Sequence, residues 1–160
     1  MKLDFEKAVA EHKDMVYRLA YTGSGSFSDA EDIFQDVFMK LHSRTEDFES
    51  TEHLKAWLIR VTVNSVKTMK RSAWFSRRDD TPVQTIADSG NDKDAVIAVR
   101  EAVMKLDKKY RIIVILYYYY GYTCNEIAEM TDIKAATVKT RLSRARDILK
   151  KQLKEAWYDE

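Results

Sequence analysis

A chain of 160 residues with 45% hydrophobic side chains has room for one domain or two small ones, each with a packed core. With 27 Lys and Arg against 26 Asp and Glu, the net charge is +1, so only the distribution of charge along the chain can point to a partner. The single cysteine, Cys124, excludes an intramolecular disulfide and the usual zinc-finger ligand sets; no apolar run resembles a signal peptide or a membrane span, and the expected location is the cytoplasm.

One Pro, four Gly and almost no alternating pattern predict an all-α chain. Residues 1–21 form the first predicted helix, with Phe5, Val9, Met15, Val16 and Leu19 on its apolar face. Residues 23–26 make a turn, and Ser28 or Asp29 is expected to cap a second helix over residues 30–41. There Ala30, Ile33, Phe34, Val37, Phe38 and Leu41 follow the spacing of one buried helical face. The other face carries Asp29, Asp32, Gln35, Asp36 and Met39. Acids dominate residues 28–52, where Asp29, Glu31, Asp32, Asp36, Glu46, Asp47, Glu49 and Glu52 stand against Lys40 and Arg44.

The sign then reverses. Residues 53–78 contain no acid, and Lys55, Arg60, Lys67, Lys70, Arg71, Arg77 and Arg78 are interleaved with Trp57, Trp74 and Phe75. A loop over residues 45–52 leads into a basic helix over residues 54–71. Cations that track a backbone, with aromatics that stack on bases, describe a surface for single-stranded or melted DNA. Trp57 itself, set in an apolar spacing with Leu58, Val61 and Val66, is expected in the core. Residues 76–94 have the composition of a linker, with the only Pro, a Gly and several Asp and Ser. The domain boundary is placed there, which gives units over 1–75 and 95–160.

A third helical block, residues 95–105, leads into residues 106–120. Part of that second stretch, IIVILYYYY, has the composition of a strand, but it lies inside a longer helical pattern and is read as helix, core with a partly exposed edge at Tyr117 to Tyr120. Two helices joined by a short turn follow. Thr123 caps the first, residues 124–130, with Glu126 three residues on to close a capping box. The turn is Thr131-Asp132-Ile133, and Asp tolerates the left-handed backbone that a tight turn needs. The second helix covers residues 135–153. Val138, Leu142, Ala145 and Leu149 make its apolar stripe, and Thr137, Thr140, Arg141 and Arg144 a second one about a third of a turn away. From Lys134 to Lys154 the only acid is Asp147. Such a helix suits a major groove: Arg takes a guanine edge, Thr meets a thymine methyl and Lys neutralises phosphate.

DAEDIFQDVFMKL, then AWLIRVTVN, a linker, and EIAEMTDIKAATVKTRLSRAR stand in this order and spacing. Together they resemble the extracytoplasmic-function group of the sigma-70 family, over nearly the whole chain. The resemblance implies a two-domain helical sigma factor that needs no cofactor or metal and has no catalysis of its own. Its implied partners are core RNA polymerase, through the β′ clamp coiled coil and the β flap, promoter DNA and an anti-sigma factor. Asp32, Gln35, Asp36 and Met39 stand where the family meets the β′ clamp. Phe48, Lys55, Arg60, Asn64 and Lys67 fall in the part that recognises the minus-ten element, with Phe48 and Asn64 expected to hold an extruded base. Thr137, Lys139, Thr140, Arg141 and Arg144 match the reader of the minus-thirty-five element. The chain departs from the family's pattern at Asp107, where Pro is common, and at Asp132 and Ala136, where Gly is common.

Two other functions fit parts of the pattern. A free duplex-binding regulator would share the helix-turn-helix but would have no use for the basic, aromatic-bearing segment. An enzyme could be imagined from Asp29, Asp32, Asp36 and His42, yet no second ligand-bearing segment, phosphate-binding loop or nucleophile motif accompanies them.

Overall fold

The computed structural model describes residues 2–72 and 93–158, and every regular element among them is helical. The chain divides into two compact units, Met1–Thr81 and Pro82–Glu160. Residues 76–92 of the predicted linker lie outside the described residues, as do Trp74 and Phe75, while Lys93 and Asp94 already belong to a helix.

Three mutually packed helices build the first unit: α1 (Phe5–Ser24), α2 (Phe27–Ser43) and α3 (Thr51–Ser72). Asp4 opens α1 by accepting a hydrogen bond from the Lys7 N–H at 3.2 Å. Gly25 closes it at φ 73°, a left-handed conformation in which a side chain would be strained. That abrupt end leaves Ser26, not Ser28 or Asp29, as the cap of α2, its Oγ accepting from the Asp29 N–H at 3.3 Å. The helix therefore begins a turn earlier than the apolar spacing predicts. The early start places Phe27 against Tyr21, ring centroids 4.6 Å apart. The core holds Val16 and Leu19 from α1, Ile33, Val37 and Leu41 from α2, and Leu58 and Ile59 from α3. Each large aliphatic side chain so buried contributes about 1.5–3 kcal/mol before the entropy of ordering is counted.

The second unit contains α4 (Lys93–Lys105), α5 (Lys108–Val114), a π-helical turn (Ile115–Tyr119), α6 (Cys124–Thr131) and α7 (Ala135–Tyr158). Arg111 ties α4 to α5 by donating to the carbonyls of Leu106 and Met104. The predicted single helix over residues 106–120 is thus an α-helix that widens. The Tyr120 N–H reaches the Ile115 carbonyl five residues back, and Gly121 at φ 75° ends the element. Tyr110, Ile113, Val114 and Leu116 supply the buried side of this segment. Tyr118 and Tyr119 are each 53% exposed, so the tyrosine run is an edge rather than core.

Local chemistry sets the α6–α7 corner. Thr123 and Glu126 form the reciprocal capping box, with the Glu126 N–H donating to Thr123 Oγ1 at 3.1 Å and the Thr123 N–H to Glu126 Oε1 at 3.0 Å. Asp132 takes the left-handed conformation at φ 56°. Ile127 and Met130 of α6 are buried, as are Val138, Leu142 and Ala145 of α7.

Candidate nucleic-acid interface

Burial of Val138, Leu142 and Ala145 fixes the rotation of α7 and decides what it offers to solvent. Lys139, Thr140 and Arg144 are exposed, and Thr137 and Arg141 are half-buried at the border of the same surface. Thr140 Oγ1 donates to the Ala136 carbonyl at 3.0 Å, so the hydroxyl is left to act towards a partner as an acceptor, as for a cytosine amino group. Arg146 lies apart from this set. Its Nε donates to the Tyr118 hydroxyl at 2.6 Å, and this bond raises the guanidinium pKa above its ordinary value.

A cleft of about 350 Å³ runs beside the exposed stripe, lined by Lys109, Tyr110, Ala136, Thr137, Thr140, Arg141 and Arg144. Four of the five residues expected to meet duplex DNA therefore share one concavity; Lys139 stands outside it. Lys109 is the member that sequence reasoning missed. It lies 28 residues before Thr137, in a different helix, and the only signal for it was an adjacent pair of cations, Lys108 and Lys109, at the start of a helix.

In the first unit the residues expected to meet the polymerase share one face of α2, since positions 32, 35, 36 and 39 repeat at helical spacing. Asp32, Gln35 and Met39 are exposed, Met39 to 69%. Asp36 is more constrained. One carboxylate oxygen, Oδ2, accepts from Ser65 Oγ of α3 at 2.9 Å and lies 2.9 Å from Lys40 Nζ. Burial pushes the Asp36 pKa up, but the hydrogen bonds from Lys40 and Ser65 and the Lys40 charge outweigh it, and the net direction is down. This carboxylate joins α2 to α3 one residue from Asn64.

On α3, Arg60, Asn64 and Lys67 fall at i, i+4 and i+7 and are all exposed, so they share a face. Lys55 does not join them. It points about 140° round the helix and is close enough to His12 of α1 to act on its charge.

Phe48 corrects the expectation that it holds a base directly. Its ring is 1% exposed, with centroids 5.2 Å from His53 and 5.6 Å from Trp57. The Arg44 guanidinium covers it, 4.3 Å from the Phe48 centroid and 5.3 Å from that of Trp57. The physical reason is the shortness of the loop between α2 and α3, which folds its one large apolar side chain back onto α3. Polar groups strap the same loop down. The Glu49 N–H donates to His53 Nδ1 at 3.1 Å, the His53 N–H to Ser50 Oγ at 3.1 Å, and Arg44 Nε to the Glu46 carbonyl at 3.0 Å. What the loop presents outward is polar: Thr45, Glu46, Asp47, Glu49 and Ser50 are exposed. Among the described residues no group of three or more His, Cys, Asp or Glu is placed to hold a metal ion, and no helix is long and apolar enough to cross a membrane.

Both units resemble known proteins. Residues 8–76 match the family described as sigma-70 region 2, and residues 97–149 match sigma-70 region 4. The ECF RNA polymerase sigma factor SigW of Bacillus subtilis is 30% identical over 94% of this chain and 89% of its own length. RNA polymerase sigma factor SigV of the same organism is 30% identical over 91% of this chain and 88% of its own. Among solved structures, the sigma factor RpoE in complex with the anti-sigma factor NepR from Bartonella quintana superposes with a TM-score of 0.76. It is 25% identical, over 94% of this chain and 97% of that one. The chain belongs to the extracytoplasmic-function sigma factors of the sigma-70 family. Its role is that of a sigma subunit: with core RNA polymerase and promoter DNA as partners, it directs promoter-specific transcription initiation.

Proposed function

We propose a division of that role between two units, residues 1–75 and 93–160, joined by a linker over residues 76–92, since Lys93 and Asp94 belong to α4. In the first, Asp32, Gln35, Asp36 and Met39 on α2 dock on the β′ clamp coiled coil. Arg60, Asn64 and Lys67 on α3 receive one strand of the opened minus-ten region, with Asn64 hydrogen-bonding a base edge. Phe48 acts from beneath, by fixing the loop that borders this strand. In the second unit α7 enters the major groove of the minus-thirty-five element, and Thr137, Lys139, Thr140, Arg141 and Arg144 meet it. The same unit is offered to the β flap. The chain lends specificity and contributes no catalysis of its own. It works in the cytoplasm and is held inactive there by an anti-sigma factor, a reading supported by its likeness to a sigma factor crystallised with one.

The observation that carries this reading is the placement of Arg60, Asn64 and Lys67 on one exposed face of a helix whose opposite side, at Leu58, Ile59, Val63 and Val66, is core. A duplex-only regulator has no use for such a face. The test is assembly of Asn64→Ala with core polymerase on two templates, one fully paired and one pre-opened across the minus-ten region. Poor opening of the paired template is expected, with incomplete rescue on the pre-opened one because a base contact is also lost. Parental activity on both would remove Asn64 from the site.

A further inference from the structure

The cleft beside α7 is closed by a side chain from outside the helix-turn-helix pair. Lys109 belongs to the first turn of α5 and is exposed, while the neighbouring Tyr110 is buried and lines the same cleft. Lys109 Nζ lies 5.1 Å from the centroid of the Tyr110 ring, a cation–π contact between two residues of the cleft wall. Arg141 and Arg144 line it as well. Among the described residues no carboxylate lines the cleft, and Lys109, Arg141 and Arg144 take part in no ion pair. Three like charges around one concavity repel one another, and an anion seated among them relieves that repulsion.

We infer that this cleft seats a backbone phosphodiester of the duplex whose bases α7 reads, with Lys109 as its sequence-independent ligand. The inference rests on the proposed docking of α7 in the major groove. Buried Tyr110, Ile113 and Val114 hold α5 in the core, so its backbone cannot follow α7 into the groove, and Lys109 reaches only the sugar-phosphate rim. The chemistry suits that position. An ammonium is a point charge on a flexible stem, good for phosphate and poor for the paired acceptors of a guanine edge. Arg141 and Arg144 have the fork that a base edge requires. Phosphate contacts set register on the duplex without carrying sequence information. Lys109 is thus a positioning contact that fixes where along the helix axis the α7 side chains fall.

The test uses the full chain assembled with core polymerase, on a promoter fragment identified by sequencing transcript starts. Binding is titrated against salt for the parent, Lys109→Gln and Arg144→Ala. Losing one phosphate contact makes the slope of log K against log salt shallower by about 0.9, which corresponds to about eight-fold weaker binding at 0.1 M and about four-fold at 0.2 M. The loss should be the same factor on every single-base variant of the upstream box. A second probe places one neutral methylphosphonate linkage at a time across that box. One linkage should weaken the parent and leave Lys109→Gln unchanged, which separates a DNA phosphate from a site for free anions. Melting of each variant near the parental temperature confirms that the fold is kept. A parental slope for Lys109→Gln, a loss that varies from base to base, or the lack of any such linkage overturns the inference. If Arg144→Ala still relaxes base preference in that case, only the role of Lys109 falls. If Arg144→Ala is also without effect, the docking of α7 falls with it.

Discussion

Replacing Phe48 by alanine removes a side chain that is 1% exposed and packed between His53, Trp57 and the Arg44 guanidinium. Truncating a buried Phe costs about 3–5 kcal/mol, and the lower figure applies here because the loop above can partly collapse into the gap. Loss of the Arg44 contact adds about 0.5–1 kcal/mol. A total of about 3.5–4 kcal/mol is a large share of the 5–15 kcal/mol typical of a domain, and in a unit this small it lowers the melting temperature by about 15 °C or more. Phe48→Leu keeps most of the apolar volume and should cost about 1–2 kcal/mol. The assay pairs urea unfolding of each purified variant with promoter opening by the variant assembled with core polymerase, measured well below its melting point. Because Phe48 fixes the loop from beneath, opening should fall in step with stability: mildly for leucine, severely for alanine. If Phe48→Ala unfolds within 1 kcal/mol of the parent and yet cannot open a promoter, the ring acts on a base directly and the burial argument fails.

Four further outcomes follow from the geometry. Arg144→Ala should cost about 1–3 kcal/mol of promoter affinity and relax preference at one position of the upstream box, whereas Lys139→Ala should weaken all sequences alike; equal loss on every sequence for Arg144→Ala would contradict base reading. Asp36→Arg should abolish co-purification with core polymerase, and unlike a change at Asp32 it should also loosen the α2–α3 contact through Ser65. Since the folded-state pKa of Asp36 is lowered, its contribution to stability is complete above the ordinary carboxylate value of about 3.9 and is lost as pH falls through the lower folded value. Asp36→Asn should flatten that part of an acid-unfolding curve, and an unchanged curve would refute the assignment. His12 is buried, and its Nε2 has no hydrogen-bond partner among the described residues. Burial lowers its pKa, with Lys55 adding to the effect and Glu11 and Glu52 opposing it. The unfolded chain therefore takes up the proton first. Stability of the first unit should decline as pH falls from about 6.5 towards the lowered folded value, and His12→Gln should remove that slope in pH-dependent urea unfolding.

Elements governed by neighbours in sequence were legible from it. The capping box at Thr123 and Glu126 and the left-handed Asp132 are decided within a few residues, and both stand as read. The inward stripe of α2 was legible for the same reason, apart from Phe34, which is only half-buried beside Tyr17 and Phe38. The start of α2 was not. Ser26, Ser28 and Asp29 are all competent caps, and the choice is made by where Gly25 stops α1 and where Phe27 meets Tyr21. Lys55 and Lys109 were misjudged or missed because each depends on a partner far along the chain or on its angle round a helix, and Phe48 because a short loop folds it back onto α3. The Ser65–Asp36 bond spans 29 residues and leaves no local trace.

As a sigma factor, this chain confers promoter choice on a polymerase that lacks it. The most direct measurement is transcription of genomic DNA by purified core RNA polymerase, with and without the chain, followed by sequencing of the transcript starts. Adding the chain should give a discrete set of new starts, each preceded by two recurring boxes at fixed spacing. The upstream preference should relax with Arg144→Ala and the downstream one with Asn64→Ala. Unchanged starts on adding the chain, together with binding of the isolated chain to duplex as tight as any polymerase-bound form, would contradict that role.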